Sequence, residues 1–333
     1  MAAAALLACV AACTTRPAGD AAASRLVWPP AGVPAPGEVV FERVVDELKA
    51  SGIRGFLGAV AGAEEGEGRT GFVRPVGAAL AGEFLWVVDS VRPAVSVSAL
   101  DGRSASFVSL PEGFLPVALA AAPGGREVWI GDGAAPRLRA HSRAGKFLRE
   151  VALPPGFGRC GGIAVAANGD LLVTSVNGSE VARLGPEGTL KARVGRRGEG
   201  LVEFNFPGAV AVAPDGTIWV VDTFNFRLQH LSSDLKPLGG FGEAGDGTGH
   251  FALPKGLAID PDGHLYVADG RFDAVQVFDS AGRLLLVVGG HGAGPGEFSN
   301  PAGLACDAEG RLVIADTGNR RAQVLKYQRR SVP

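Results

Sequence analysis

Several residue types and motifs that often carry chemistry or recognition are scarce in this chain. Its 333 residues include 1 methionine, 2 tyrosines, 4 cysteines and 4 tryptophans. The formal charge of −2 and the pI near 6.2 give no excess of basic residues, which argues against nucleic-acid binding. The sequence has no Gly-x-Ser-x-Gly, phosphate-binding loop or Cys-x-x-Cys. The sequence therefore lacks the common signatures of a serine hydrolase, a nucleotide-binding site and a zinc or redox site.

Charge is missing from the first 12 residues, MAAAALLACVAA. This run has the length of a signal-peptide core and is too short to span a bilayer. It leads into Val10-Ala11-Ala12-Cys13, which resembles a bacterial lipobox, although no basic segment precedes it and an alanine-rich cytosolic tail is the alternative. We therefore predict a lipoprotein signal peptide over residues 1–13, lipidation at Cys13 and a flexible tether over residues 14–37.

Cysteine remains at only two positions, Cys160 and Cys306, once such a signal peptide is removed. The repeat described next places them on opposite sides of a ring, beyond the ~4.4–6.8 Å between Cα atoms that a disulfide spans. Cys306 shares the register position of Ile259 and Val165, which predicts a small, buried, apolar side chain there.

Glycine is abundant, with 50 residues, and glycine-containing turns separate six copies of a short apolar run. The copies read FLWVVD, EVWIGD, DLLVTS, TIWVVD, HLYVAD and RLVIAD. Their last residues are Asp89, Asp132, Ser175, Asp222, Asp269 and Asp316, at intervals of 43, 43, 47, 47 and 47 residues. A period in the forties that carries strands predicts the blades of a β-propeller.

Each copy has the same internal order. A Pro-x-Gly and a short apolar strand come first, then a tight turn such as Pro261-Asp262-Gly263, where glycine accepts φ > 0. The second strand is apolar on both faces, as expected for a strand packed on both sides. Two further strands complete the unit. The pattern predicts an all-β fold, a six-bladed β-propeller of four-stranded blades, over residues 38–330.

The last copy stops after residues 322–327, without a fourth strand. The segment EVVFERVV at 38–45 belongs to no repeat, so we predict that a strand over residues 38–46 closes blade six and removes an open sheet edge. Between this strand and blade one, apolar residues at helical spacing predict a short helix over residues 52–62 that covers part of the axial channel.

The last three copies resemble NHL repeats, the units of a β-propeller family. They read FNFPGAVAVAPDGTIWVVDTFNFRLQ, FALPKGLAIDPDGHLYVADGRFDAVQVF and FSNPAGLACDAEGRLVIADTGNRRAQVL. With SRLVWPP at 24–30 and the strand that follows, the chain resembles a group of exported bacterial six-bladed NHL lipoproteins. The resemblance implies a recognition scaffold, without implying one particular activity.

The residues that end the second strands predict turn caps rather than a metal ring. Ser175 keeps an acceptor oxygen but no charge, and such oxygens accept hydrogen bonds from backbone N–H groups of the following turn. The second strands also lie one interstrand spacing outside the innermost strands. The residues that end them are therefore roughly 10 Å apart, too far to bind one calcium ion together. We predict this capping role for Asp89, Asp132, Ser175, Asp222, Asp269 and Asp316.

No other cofactor or metal site is predicted. The lyases and lactonases among related propellers bind a metal through histidine or carboxylate ligands near the channel, whereas the inner strands here begin with small apolar residues. The five histidines occupy different register positions, which predicts solvated side chains rather than a zinc site. They are His141, His230, His250, His264 and His291.

Aromatic and basic residues gather on the face that carries the turns after the second strands. Exposed aromatic and arginine side chains there would form an anchor for a partner, since such residues dominate binding energies. The alternative is that the rings fold back on their own blades and the arginines are solvated. The candidates are Phe224, Phe226, Arg227, Arg271, Phe272, Arg320, Arg321, Arg196 and Arg197.

Together these features predict a non-enzymatic, monomeric, lipid-anchored propeller that binds a protein or polymer partner at the bacterial cell envelope. The expected location is the outer membrane, facing the periplasm or the cell surface. A metal-dependent enzyme of the lyase or lactonase type, with its site in the axial channel, is the alternative. Binding of RNA, a third possibility, conflicts with the charge and with the export signal.

Overall fold

Short apolar strands separated by glycine turns form six antiparallel sheets. A computed structural model of the chain describes residues 27–28, 37–45, 71–91, 94–101 and 104–329. Within these ranges there are 25 strands and one 3-10 turn, Thr223–Asn225. The tight turns have glycine in the left-handed region where the sequence predicts it, as at Gly216 (φ 83°) and Gly263 (φ 86°).

Each of the six sheets is one blade of a propeller, with its first strand innermost. Two strands precede the repeats: β1 (Val27–Trp28) and β2 (Gly37–Val45). The repeats supply β3 (Pro75–Ala81), β4 (Phe84–Asp89), β5 (Ala94–Ala99) and β6 (Ala105–Phe107); β7 (Pro116–Ala121), β8 (Glu127–Asp132), β9 (Arg137–Ser142) and β10 (Phe147–Ala152); β11 (Cys160–Val165), β12 (Leu171–Ser175), β13 (Glu180–Leu184) and β14 (Leu190–Val194); β15 (Pro207–Val212), β16 (Ile218–Asp222), β17 (Arg227–Leu231) and β18 (Pro237–Phe241); β19 (Pro254–Ile259), β20 (Leu265–Asp269), β21 (Ala274–Phe278) and β22 (Leu284–Val288); and β23 (Pro301–Cys306), β24 (Arg311–Asp316) and β25 (Arg321–Arg329).

The innermost strands contact one another in sequence order, and β23 returns to β3, so the ring is closed. Their backbones approach closely, which explains the glycine of Pro-x-Gly. A Cβ atom on Gly303 would lie 2.6 Å from the Cα of Gly77, and one on Gly162 would lie 2.6 Å from the carbonyl oxygen of Gly208. The predicted all-β, six-bladed propeller is confirmed.

The second strand of each blade is buried on both faces because it packs against two neighbouring blades. In β20, Tyr266 and Ala268 join the cluster between blades five and six, while Leu265 and Val267 join the cluster between blades four and five. Six such clusters, one at each blade junction, make up the hydrophobic core. The two-sided apolar pattern of the repeat therefore reports this stacking directly.

Closure of blade six by the N-terminal segment is also confirmed. Strand β2 pairs antiparallel with β25, from Gly37 opposite Arg329 to Val45 opposite Ala322. Beyond it, β1 adds a fifth strand, with Val27 opposite Val40. The predicted tether over 14–37 does not hold at Val27 and Trp28, because the buried indole packs on the backbone at Gly296 and anchors this segment to the ring.

Three regions of the N-terminal prediction lie outside the described residues. They are the signal peptide over 1–13, which includes Cys13; most of the tether; and the short helix over 52–62. In the described part of the chain, no helix has the length and apolar character needed to cross a membrane. Both Cys160 and Cys306 are free thiols, in blades three and six on opposite sides of the ring, and burial raises the pKa of each.

Candidate binding face at the channel mouth

In five of the six blades, the acid that ends the second strand links two loops on one face of the propeller. Buried Asp269 accepts hydrogen bonds from the backbone N–H of Arg271, two residues later, at 3.0 Å. It also accepts from the N–H groups of Ala252 and Leu253, at 2.8 Å and 3.0 Å, in the loop that enters the same blade. We call the face that carries these turns and inter-blade loops the upper face; its loops span 71–74, 108–115, 153–159, 195–206, 242–253 and 289–300.

Blades four and six contain a larger version of this arrangement. Asp316 accepts hydrogen bonds from the Ser299 N–H at 2.8 Å, from Arg321 Nε at 2.7 Å and from the amide groups of Asn319 and Gln323. Asp222 has the equivalent partners in blade four. All the oxygen atoms of these acids are engaged inside the blade, which leaves them unsuited to bind an external ion.

Serine performs the equivalent task in blade three. The hydroxyl of Ser175 accepts from the N–H of Gly178 at 3.1 Å and donates to the carbonyl of Phe157 in the preceding loop. A hydroxyl can donate as well as accept, so the link between turn and loop persists without a charge. The sequence predicted the hydrogen bond to the following turn. It did not predict the hydrogen bond to the loop that enters the same blade.

The axial channel holds a cavity of about 140 Å³ at its centre. Its lining comes from all six inner strands and consists of glycine, alanine, valine, leucine and isoleucine, with Lys255 as the one ionisable residue. Protein sites for divalent cations are built around carboxylate, imidazole or thiolate side chains, to which backbone carbonyls and water add further ligands. The described lining does not fit such an ion, and no group of three or more His, Cys, Asp or Glu suited to a metal occurs in the described residues.

The histidines differ from the prediction of solvated side chains at three positions. His141 is fully buried, between the rings of Trp86 and Phe147 at centroid distances of 6.3 Å and 5.7 Å. His230 stacks on Trp219, with ring centroids 4.1 Å apart. The imidazole of His264 is mostly buried and bonds Asp260 at 2.8 Å. These rings fill the blade interfaces, a role that their position in third strands or beside turns did not reveal.

Burial of His141 makes the stability of the junction between blades one and two dependent on pH. Burial, aided by the charge of Arg139, lowers the pKa of His141 from 6.5 to about 4. The unfolded chain therefore binds the proton more readily, and stability falls as the pH drops below 6.5. When the pH is lowered from 7 to about 5, we expect this residue to reduce the free energy of unfolding by roughly 2 kcal/mol.

Urea denaturation of the native protein and of His141→Leu at these two pH values tests that expectation. Other titrating groups are common to both proteins, so the difference between their pH-dependent losses isolates His141. Equal losses in the two proteins would contradict the assignment.

Residues that immediately precede the inner strands form the rim of the channel on the upper face. In chain order they are Arg74, Leu115, Arg159, Phe206, Leu253 and Asn300. The first four are exposed, so two arginines alternate with two apolar side chains around the opening. This rim was not predicted. Its residues can nevertheless be found in the sequence, because each directly precedes the Pro-x-Gly, or the corresponding tripeptide, that begins an inner strand.

Phe206 of this rim forms an exposed aromatic pair with Phe224. Their ring centroids lie 4.9 Å apart, and 47% and 46% of their surfaces are accessible to solvent. The pair joins the loop before blade four to the turn after its second strand. Phe224 was a candidate from the sequence, whereas Phe206 was not.

The other sequence candidates divide into exposed and internal residues. Phe226 packs against the core between blades four and five, and Phe272 is half-buried. Arg227 bonds Asp222 at 2.9 Å and Arg321 bonds Asp316, so both guanidinium groups serve the interior of their blades. Four candidates remain exposed on the upper face: Arg196, Arg197, Arg271 and Arg320.

Two blades match the family model of the NHL repeat, over residues 204–231 and 251–278. Blades four and five are NHL repeats. Each match begins at a fully buried phenylalanine, Phe204 or Phe251, which packs at the junction with the preceding blade. Each match ends with the third strand of its blade. The resemblance of these two copies to NHL repeats, noted in the sequence, is thereby confirmed. No curated protein matches the chain.

Solved structures similar to this six-bladed propeller have different roles. A gluconolactonase from Xanthomonas campestris is 18% identical, with 94% of this chain and 99% of that chain covered and a TM-score of 0.63. A virginiamycin B lyase from Staphylococcus aureus is 18% identical, with 76% and 95% covered and a TM-score of 0.57. An auxiliary nutrient binding protein from Bacteroides thetaiotaomicron is 13% identical, with 88% and 83% covered and a TM-score of 0.61. At these identities the similarity shows a shared fold.

Proposed function

We propose that this NHL propeller is a non-enzymatic scaffold that binds a protein or polymer partner through its upper face. The export signal and Cys13 would hold it by a lipid anchor at the bacterial envelope. The observation that carries the proposal is the exposed pair of Phe206 and Phe224 beside an arginine-bearing rim. The metal-dependent alternative finds no suitable donor set in the described lining of the channel.

The exposed pair has the physical character of a binding anchor. Two large rings left in water on a rigid scaffold are costly, and covering them with a partner would release about 1.5–3 kcal/mol for each ring. Arg74 and Arg159 on the rim, and Arg271 in a turn of the upper face, are exposed and add positive charge to this surface. A partner that presents apolar groups together with carboxylates therefore fits this surface.

Site-specific photo-crosslinking in intact cells tests the proposal. We expect a photoreactive phenylalanine analogue at position 224 to yield one dominant adduct, which weakens when Phe206→Ala is added. The same analogue at Leu238 is the matched control, because Leu238 is 54% exposed but lies on outer strand β18 of the same blade. Identical adducts from both positions, or none from position 224, would exclude the upper face as the binding surface.

Fractionation of the same cells tests the anchor. We expect the native protein in the membrane fraction and Cys13→Ser in the soluble fraction, or retained as an unprocessed precursor. Equal membrane association of native protein and variant, with processing unchanged, would remove the lipid anchor from the proposal while leaving the crosslinking result intact.

A further inference from the structure

Lys255 is the one cation in the described lining of an otherwise apolar channel. Lys255 is the second residue of inner strand β19. The equivalent positions of the other five inner strands carry only small or apolar residues, which are Val76, Val117, Gly161, Gly208 and Ala302. The lysine therefore does not belong to the repeat pattern that builds the ring, and no packing requirement of the fold explains it.

The ammonium group of Lys255 has unused hydrogen-bonding capacity. Its one hydrogen bond in the described part of the protein is to Asn300 Oδ1, at 2.5 Å. An ammonium carries three N–H donors. No described carboxylate lies within 4.0 Å of Nζ to form an ion pair. Lys255 is half-buried, so this charge is removed from much of the solvent without a partner of opposite sign.

The carboxylates nearest to Lys255 are engaged elsewhere. Asp269 accepts four backbone N–H groups in the turn and loop of blade five. Asp273 accepts the N–H of Asn300 at 2.6 Å through Oδ1 and bonds His291 Nδ1 at 2.7 Å through Oδ2. Both acids are therefore held in place by other groups, and neither can swing over to neutralise the lysine without breaking those bonds.

A second cation acts on the same space. Burial lowers the pKa of Lys255, and the guanidinium of Arg74 on the rim lowers it further, against the opposing effect of Asp269 and Asp273. The guanidinium of Arg74 is exposed and makes no hydrogen bond within the described residues. Two cations that repel each other at the edge of a cavity favour an anion between them.

We propose that the channel mouth is a binding site for a carboxylate attached to a short apolar group. The ammonium of Lys255 and the guanidinium of Arg74 bind the carboxylate, and the apolar group enters the cavity of about 140 Å³ below it. The carboxylate belongs either to a free small acid or to the C-terminus of a polypeptide. In the second case the inference rests on the proposed function, since the polypeptide is then the partner of the upper face.

Lysine-selective NMR of the full chain tests this site. The protein has only six lysines, so biosynthetic labelling with ¹³C-lysine gives few side-chain signals while leaving each ammonium unmodified, and the signal of Lys255 is assigned by its loss in Lys255→Met. We expect propionate at millimolar concentration to shift the Lys255 signal saturably and to raise the pKa of this lysine, because a bound anion stabilises the ammonium. Propionamide, a neutral molecule of the same shape, should do neither. An unchanged Lys255 signal would overturn the proposal.

Two variants separate specific binding from a general salt effect. Asn300→Asp places a carboxylate beside the ammonium without altering the size of the side chain, and we expect it to weaken propionate binding at least about tenfold. Lys236→Met, at an exposed lysine of the opposite face, should leave the affinity unchanged. A propionate shift of similar size at Lys236 and Lys255 in the native protein would also overturn the site.

Short peptides identify the source of the carboxylate. A dipeptide with a free C-terminal alanine that binds more tightly than propionate supports a polypeptide terminus, while weaker binding than propionate supports a free acid. Amidation of the dipeptide should abolish its effect in either case. Propionate binding requires no partner and crosslinking from position 224 requires no anion, so each hypothesis can fail without the other.

Discussion

Deletion of residues 37–45 is expected to unfold the propeller. Strand β2 pairs with β25 from Gly37 opposite Arg329 to Val45 opposite Ala322, and its own Val39 and Val40 are buried. Its removal would delete these buried side chains, leave the backbone groups on the outer edge of β25 unpaired and take away the support of β1. Each valine contributes about 1.5–3 kcal/mol by burial alone, against a total stability of about 5–15 kcal/mol for a typical domain.

Thermal unfolding followed by circular dichroism measures this effect. A deletion of residues 14–26, which lie before β1, is the matched control and should melt like the native protein. If the 37–45 deletion does not accumulate in cells, Val39→Ala provides a milder test, with an expected loss of about 2 kcal/mol. An unchanged melting temperature in the 37–45 deletion would show that the ring does not depend on this closure.

Loss of the carboxylate in Asp316→Ala is expected to destabilise the protein by about 3–5 kcal/mol. Arg321 bonds Asp316 at 2.7 Å and has only 9% of its side chain exposed, so the substitution would leave a buried guanidinium without a counter-charge. Its remaining bonds, to the carbonyls of Ala293, Gly294 and Glu297, hold the loop between blades five and six. That loop would loosen together with the junction.

Urea denaturation compares this variant with two others. Asp316→Ala combined with Arg321→Met should recover part of the loss, since the unpaired charge is then removed as well. Arg283→Ala breaks the exposed pair with Asp279, 2.6 Å apart, and should cost no more than about 1 kcal/mol. A loss at Asp316 as small as that at Arg283 would mean that the buried network does not hold the blade junction.

Much of the fold follows from local patterns in the sequence. The spacing of the runs that end in Asp89 through Asp316 predicts six blades, because each blade repeats the same turn and strand order. The closing strand is predictable because EVVFERVV is apolar and belongs to no repeat. Strand β1 is not predictable in this way, since two residues carry no period and Trp28 is buried by packing into the cluster between blades five and six and on the loop at Gly296.

The candidate site was predicted less completely. Turn chemistry identifies the acids as caps, and the register of the turns identifies Phe224 as a surface residue. Phe226 lies two residues away, yet it packs inward because its backbone adopts φ 54° and directs the ring toward the next blade. The internal role of Arg227 depends on carbonyl groups of a loop more than twenty residues earlier, which no local pattern reveals.

The sequence by itself determined the blade number, the order of the strands and the NHL repeats of blades four and five, because each depends on repeated short-range chemistry, and it determined the closing strand because that apolar segment falls outside the repeats. The tertiary structure alone decided which residues are available for function. Exposure of Phe206 and Phe224, burial of His141 and the unpaired charge of Lys255 arise where loops and strands from different blades meet. Contacts between blades determine how far each side chain is exposed to solvent and which charges lie near it. These properties therefore exist only in the assembled ring.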